Sequence, residues 1–264
     1  FQAEDGIRDA QESRGLGDVY KRQVLILLWQ TFSSLGFIPE NRLPSPFQII
    51  TGIKELFFVG MPPGSVLIDH ISESLKRVIS GLAIAVITGL PLGIFMSYWR
   101  TFGEMMHPVI EMLRPIPPLA WVPISILWFG IGNQSASFII FLGAFFPILL
   151  NTITGVLSIN QRFVESAIIL GAKRGDLFFK VLLPGAMPSI ITGIRIGIGI
   201  AWMTLVAAEF TGVKSGHGLG YMIMTARDIQ RADLIVAGMA VIGLIGYLID
   251  LFIRKIEQRV LRWV

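Results

Sequence analysis

Two long stretches of the chain contain no charged residue, and this feature limits the possible folds more than any other. They are residues 78–97 (VISGLAIAVITGLPLGIFMS) and residues 137–157 (SFIIFLGAFFPILLNTITGVL). A helix of about 20 residues crosses a bilayer core about 30 Å thick, so each stretch is long enough to do so. A soluble helix of this length would need polar side chains on its solvent face. Both stretches therefore predict membrane-spanning helices.

Further apolar segments extend this pattern along most of the chain, with charges only close to their ends. The predicted spans are residues 24–38, 78–97, 109–129, 137–157, 190–210 and 234–253. The first of them is short. The sequence therefore predicts an all-α, polytopic helical membrane protein with about six transmembrane helices.

The composition supports this class and excludes several others. Only 15% of the 264 residues are charged, where a soluble domain has about 25%, and the mean hydropathy is +0.68. The absence of cysteine excludes disulfide scaffolds, thiolate metal sites and cysteine nucleophiles. Residues 1–23 are polar and lack any helical period, so we expect a non-native or disordered leader there, with a polar tail as the alternative. The transmembrane domain would occupy residues 24–264.

Signatures of catalysis are missing from the sequence. His70, His107 and His217 lie far apart and lack the spacing of metal ligands. No Gly-Lys dipeptide occurs, so the chain has no Walker A phosphate loop. We therefore predict no catalytic residue, metal or cofactor in this chain and no nucleic-acid partner. Uphill transport would draw its energy from another subunit or from an ion gradient.

Four prolines fall within the nine residues from Pro115 to Pro123. Each removes a backbone donor and crowds the preceding turn, so a regular helix is excluded. Irregular backbone at membrane depth is tolerated where it is buried in protein or lines a water-filled cavity. A broken helix beside a pathway and a merely kinked packing helix both satisfy this rule. Under the pathway hypothesis the lining residues are Pro115, Pro117, Pro118, Trp121, Pro123, Gly193, Gly197, Trp202, Thr204 and Glu209.

Several of the residues within the spans also have ordinary interpretations. The four-residue spacing of Gly193 and Gly197 suits a close helix crossing. Glu209 and Asp250 lie near span ends, which favours carboxylates that reach interfacial water over a coupling or substrate role. Arg195 is interpreted as a cytoplasmic-side anchor.

The connection at residues 158–189 combines basic residues with an apolar helical face. Its pattern indicates a short helix, a glycine break, a second amphipathic stretch and a proline stop. Phe178, Val181 and Leu182 share one face of the second stretch, which is too apolar for a solvated loop. Two short helices with a turn between them can dock into a groove of another protein. A loop folded back on its own bundle is the alternative.

The connection contains a run, ESAIILGAKRGDLFFKVLLPGAMP, that resembles the EAA motif of binding-protein-dependent ABC import permeases. The matching positions are Glu165, Ala167, Gly171, Leu183 and Pro184. Ser166 departs from the motif, because a second alanine is usual there. Residues 114–132, 141–152 and 201–209 resemble the nitrate/sulfonate/taurine branch, which also contains permeases for bicarbonate and for pyrimidine vitamin precursors.

This resemblance implies a six-span permease of the type I ABC importer fold in a bacterial inner membrane. It implies that two copies, expected as a homodimer, form the pathway and meet a periplasmic or lipid-anchored substrate-binding protein. ATP and Mg would be bound by a partner ATPase. The residues expected to dock this ATPase are Glu165, Ala167, Gly171, Ala172, Lys173, Arg174, Gly175, Asp176, Leu183 and Pro184.

The expected orientation follows from the basic residues of the connections. Residues 158–189 and the C-terminal tail carry four lysine or arginine residues each and the short link at residues 130–136 carries none, so the first two are expected to be cytoplasmic. Residues 39–77 and 211–233 also carry basic residues, but these segments are longer and mixed with acids and weigh less. An even number of spans places both termini on that side.

Two other classes of protein share the composition. An ion-coupled secondary transporter should show internal inverted repeats and acidic residues in mid-span. A non-transporting membrane scaffold would need neither a proline-broken span nor a protruding loop.

Overall fold

The structure, a computed structural model, describes residues 20–21, 23–35, 39, 42–210 and 216–261. Every regular element in these ranges is helical and none of the residues belongs to a strand, so the all-α prediction is confirmed. Almost all of the expected leader, and residues 36–38 of the first predicted span, lie outside the described residues.

The helices follow one another with short connections. Their bounds are α1 (23–34), α2 (Pro46–Phe58), α3 (Leu67–Tyr98), α4 (Arg100–Leu113), α5 (Val122–Phe129), α6 (Asn133–Leu157), α7 (Gln161–Ile169), α8 (Arg174–Asp176), α9 (Leu183–Phe210), α10 (Leu219–Asp228) and α11 (Ala232–Val260). A 3₁₀ turn at Pro118–Trp121 leads into α5, and a π-helical turn at Leu177–Leu182 leads into α9.

Four helical segments of the described chain are long and apolar enough to cross a membrane. They are α3, α6, Ala232–Arg259 within α11, and α9 together with its preceding π-helical turn. A fifth candidate is the pair formed by α4 with Pro118–Phe129, which bends by 87° between its halves. The described part of the expected span at 24–38 forms α1, which is shorter than a bilayer core requires.

The long helices extend beyond the uncharged stretches that predicted them. The helix predicted from residue 78 begins at Leu67, and the one predicted from residue 190 begins at Leu183. Charged residues bounded the predicted spans, but a charged residue does not end a helix when its side chain finds a partner. Arg77 illustrates this, because it lies within α3 with its guanidinium bonded inside the protein.

One compact unit contains the described residues up to 67 together with 223–241. Its α2 begins with a capping box, in which the Ser45 hydroxyl accepts the amide of Gln48 and the Gln48 side chain accepts the amide of Ser45. Arg231 lies 2.7 Å from a carboxylate oxygen of Glu55.

The other unit contains residues 68–222 and 242–261, and its core is formed by α6 packed against α9 and α3. The buried side chains of this core are small or branched. They are Val78, Ala85, Ile140, Ala144, Ile148, Ala201 and Leu205.

Glycines bring α9 close to α6. A Cβ atom on Gly193 would lie 2.6 Å from the Cβ of Asn151, and one on Gly197 would lie 3.1 Å from a side-chain carbon of Ile148. A larger residue at Gly193 therefore requires part of the crossing to shift, and one at Gly197 requires Ile148 to give way by a few tenths of an ångström. The close crossing predicted for this glycine pair is confirmed.

Candidate functional site

The docking candidates at the start of the loop form a helix cap. Helix α7 ends in a Schellman motif, in which the amide of Gly171 donates to the carbonyl of Ile168 and the amide of Ala172 donates to that of Ala167. Gly171 has a φ of +82°, a left-handed conformation that favours glycine. Glycine at this position therefore fixes where the helix ends and how the chain leaves it.

Apolar side chains surround this cap and face away from the protein. Ile169 and Leu170 are 85% and 87% exposed. We define the loop surface as Phe163, Ile168, Ile169 and Leu170, all of which are exposed. Glu165 is exposed on the same helix and Ala167 is half-buried. An exposed apolar patch of this kind indicates an interaction surface.

Charged residues organise the turn after Gly171. A carboxylate oxygen of Asp176 lies 2.7 Å from the ammonium of Lys180, and the other accepts the amide of Lys173 at 3.3 Å. Lys180 and then this amide hold the pKa of the Asp176 carboxyl below its ordinary value. The three-residue helix α8 begins at Arg174, and Gly175 is exposed within it.

The expected proline stop is wrong. Helix α9 begins at Leu183 and continues through Pro184 and Pro188 to Phe210. The amide of Leu183 donates to the carbonyl of Phe178, five residues back, in a π-helical turn. A proline ring normally clashes with the carbonyl four residues before it, and this wider turn relieves the crowding in front of Pro184.

The proline-rich break lines a cavity of about 340 Å³ in the same unit. Two of the pathway candidates, Pro118 and Trp121, line this cavity. The other sides of the cavity include Gly143 of α6 and Ile200 of α9, which were not candidates. Pro115, Pro117 and Pro123 are exposed and are absent from the lining that the described residues form. Arg114, which sequence analysis did not select, also lines the cavity.

The remaining pathway candidates lie in helix contacts. Gly193 and Gly197 face α6, as described above. Thr204 is buried beside Gly143, and Trp202 packs against Gly246 of α11. The structure thus places these candidates between helices, outside the cavity lining.

Glu209 lies in a buried ion pair at the opposite end of α9 from the loop. Arg77 Nη1 is 2.5 Å from Glu209 Oε1, and the two side chains are 1% and 0% exposed. The Ser74 hydroxyl donates to the same oxygen at 2.7 Å, and the amide of Gly220 donates to Oε2 at 2.7 Å. Three donors therefore satisfy a carboxylate that has no access to solvent.

Arg77 also binds the chain segment that follows α9. Its Nη2 donates to the carbonyl of His217 at 2.7 Å, and its Nε donates to Asn133 Oδ1 at 2.9 Å. A Cβ on Gly218 would lie 2.7 Å from Arg77 Nη1, so only glycine fits there. We call Ser74, Arg77, Asn133, Glu209 and residues 217–220 the polar network.

The polar network overturns one interpretation from sequence. Glu209 does not reach interfacial water, because its side chain is fully buried. Asp250 is 38% exposed and lies 2.8 Å from Arg254. Arg195 lies 2.9 Å from Glu257, and its interpretation as a cytoplasmic-side anchor stays a prediction.

Comparisons with known proteins agree with this architecture. The family of binding-protein-dependent transport system inner membrane components matches residues 89–262. A protein of Methanocaldococcus jannaschii assigned as an ABC transporter permease is 50% identical over 84% of this chain and 79% of its own length. The taurine transport system permease protein of Escherichia coli K12 is 38% identical over 91% of this chain and 86% of its own.

A solved structure shares the fold. An inward facing conformation of the MetNI methionine ABC transporter matches with a TM-score of 0.64 and 22% identity, over 74% of this chain and 95% of that chain. The chain therefore belongs to the family of binding-protein-dependent transport system inner membrane components, the permeases of ABC importers.

Proposed function

We propose that this chain is the permease subunit of an ATP-driven importer for a small oxyanion such as nitrate, taurine, another sulfonate or bicarbonate. The observation that carries the proposal is the loop surface, which exposes four large apolar side chains beside a rigidly capped glycine. A partner protein that covers this surface would bury it, and the EAA resemblance identifies that partner as the ATPase. ATP and Mg are bound there, and this chain performs no catalysis.

Two copies of the permease form the pathway. A substrate-binding protein delivers the solute at the end of the helices that carries the polar network. ATP binding closes the ATPase pair, draws the two loops together and turns the pathway outward. The EAA residues from Glu165 to Asp176 transmit this motion.

The loop end is cytoplasmic in this proposal, as are both termini. The supporting observation is that residues 158–189 and the C-terminal tail each carry four lysine or arginine residues, whereas the link at residues 130–136 carries none. The protein then resides in the inner membrane with its polar network toward the binding protein.

The pathway passes the break between α4 and α5. Support comes from the 87° bend and from the cavity beside Pro118 and Trp121. Single cysteines in this cysteine-free chain should react with polar thiol reagents at these two positions. Uniform protection would contradict the assignment of the pathway.

The test of the coupling partner is co-purification. The full chain is expressed with its neighbouring genes, extracted in mild detergent and scored for a bound ATPase. The variant Gly171→Asp should lose the ATPase, because a side chain at a φ of +82° disrupts the helix cap and adds charge to an apolar surface.

Gly64→Asp is the matched control. Gly64 has a φ of +93°, is exposed and has open space around it, as Gly171 does, but it lies outside the loop. It should retain the ATPase. Retention by both variants would contradict the role of the loop, and a wild-type chain that purifies alone would favour a secondary transporter or a scaffold.

A further inference from the structure

We propose that the cavity beside the proline-rich break binds the transported oxyanion and that Arg114 supplies the positive charge that recognises it. This inference rests on the proposed import function and adds a binding site within the membrane pathway. The cavity lies beside the middle of two long helices, between Leu142 and Asn151 on α6 and between Ile196 and Ile200 on α9. Both helices are long and apolar enough to cross a membrane, so the cavity lies near the middle of two candidate spans.

The charge in the cavity has one sign. Among the described residues that line it, Arg114 is the only charged one and Asn151 is the only amide. Within the described part of the chain, Arg114 has no carboxylate within 4.0 Å, whereas Arg77, Arg195 and Arg254 each have one.

A guanidinium without a carboxylate is costly inside a membrane unless it faces water or an anionic ligand. Arg114 is exposed where it lines the cavity, so water can reach it there, and an anion would provide the missing partner. The volume of about 340 Å³ falls within the range of small-ligand sites.

The break itself offers few other donors. Pro115, Pro117 and Pro118 have no amide hydrogen. The amide of Ile116 donates to Leu113, and that of Ala120 donates to Pro117. The indole N–H of Trp121 is a further neutral donor in the lining, so among the described lining residues only Arg114 offers a positive charge to an anion.

The geometry of a guanidinium suits an oxyanion. Its planar fork donates two parallel hydrogen bonds to a pair of oxygen atoms, which nitrate, bicarbonate and sulfonates all present. The Asn151 amide donates one hydrogen bond to the carbonyl of Pro147 at 2.8 Å, which leaves its second hydrogen for a ligand. Phe146, Ile196 and Ile200 provide apolar contacts that suit the short carbon chain of a sulfonate.

The experiment uses a thiol reagent that is itself a sulfonate. The full chain carries one cysteine in place of Ile200 and is treated with either sulfonatoethyl or trimethylammonioethyl methanethiosulfonate. The thiolate displaces methanesulfinate in both cases, so the ratio of the two rates reports the charge of the site. A free thiolate, being an anion, already reacts faster with the cationic reagent, so the ratio of anionic to cationic rates at position 200 is divided by the same ratio for a free thiol in solution. This normalised ratio should be raised in the wild-type background, and Arg114→Gln should lower it by about tenfold or more.

Matched variants make the result specific. Arg114→Lys should retain most of the ratio, since it keeps the positive charge. A cysteine in place of Phe179, which lines a different groove, should show no dependence on Arg114. Nitrate, taurine or bicarbonate at millimolar concentration should slow the labelling at position 200 with Arg114 present and should not slow it in Arg114→Gln.

Three results would overturn the proposal. They are a rate ratio that Arg114→Gln leaves unchanged, a cysteine at 200 that neither reagent reaches, and labelling that none of the three anions slows. These results are independent of the ATPase co-purification. If no ATPase co-purifies but the rate ratio depends on Arg114, the importer function is refuted and the anion site is retained. If an ATPase co-purifies but the ratio does not depend on Arg114, the anion site is refuted and the importer function is retained.

Discussion

The two ends of the unit at residues 68–222 and 242–261 are stabilised in different ways. At one end the polar network satisfies a buried carboxylate with Arg77, Ser74 and the amide of Gly220. At the other end the loop is held by the cap at Gly171, and apolar side chains such as Ile169 remain exposed.

The polar network is satisfied by bonds within the chain, whereas the loop surface would be buried only by a partner protein. The polar network leaves little of its charge for other proteins, because the hydrogen bonds of Glu209 are made within the chain. The loop surface has no such internal partner among the described residues. Variants of the network should therefore change folding, and variants of the loop surface should change association.

The largest expected effect is at Arg77. Its replacement by methionine leaves the Glu209 carboxylate buried without its counter-ion, which costs about 3–5 kcal/mol when a buried pair loses one partner. The melting temperature of the purified protein in detergent should fall by roughly 10 °C. The double variant Arg77→Met/Glu209→Met should recover part of this loss, because no uncompensated charge remains.

The control for Arg77 is an exposed ion pair. Arg100 and Glu104 are 92% and 65% exposed, so Arg100→Met should change stability far less than Arg77→Met does. Equal shifts for Arg77→Met and Arg100→Met would show that the network contributes no more than a surface contact.

A smaller effect is expected in the helix crossing that joins the two ends. Gly193→Ala places a Cβ against Asn151 and should lower stability by about 1–3 kcal/mol. Gly199→Ala, on the same helix with open space around it, should raise stability by about 0.5–1 kcal/mol. Thermal unfolding of both variants measures the contrast, and a shift of the same sign in both would contradict the packing described for Gly193.

The loop surface should respond in the opposite manner. Ile169→Ser should weaken ATPase binding by about tenfold, or about 1.4 kcal/mol, with the melting temperature unchanged. Binding of the purified ATPase to the protein in lipid nanodiscs gives the dissociation constant. Ile68→Ser, an exposed position at the far end of α3, should leave binding unchanged. A fall in stability without a loss of binding would remove the distinction between the two ends.

The smallest effect concerns Asp176. Because the folded-state pKa is below the ordinary value of 3.8, the ionised carboxylate stabilises the loop above that pH, and the contribution is lost as pH falls through the folded-state pKa. Asp176→Asn should slightly speed amide hydrogen exchange in residues 173–180 at pH 7. The difference from wild type should shrink as the pH falls from 5 toward 3, and a difference independent of pH would contradict the assignment.

The sequence was sufficient for those features that depend on neighbouring residues. Uncharged runs predicted α3 and α6, the clustered prolines predicted a break, and the Gly171 match predicted a turn in the loop. Each of these follows from local composition, since hydropathy and proline geometry act within a few turns of helix.

The features that the sequence missed depend on residues far apart in the chain. Arg77 and Glu209 are separated by 132 positions, and no periodic pattern connects them. Glu209 resembles a water-facing acid in the sequence because nothing near it in the chain identifies its partner. Arg114 has no distinguishing signal in the sequence, because whether a guanidinium lacks a carboxylate is known only once every helix is placed.

Helix α9 also connects the loop directly to Glu209, since it runs without interruption over the 28 residues Leu183–Phe210. At 1.5 Å per residue it is a rod about 42 Å long. A tilt of about 5° around its midpoint would displace each end by roughly 2 Å, which is enough to break a hydrogen bond. A modest rotation imposed at the loop would therefore strain the hydrogen bonds of Glu209. Residues 217–220 would then either move together with α9 or lose their hydrogen bonds to Glu209 and Arg77.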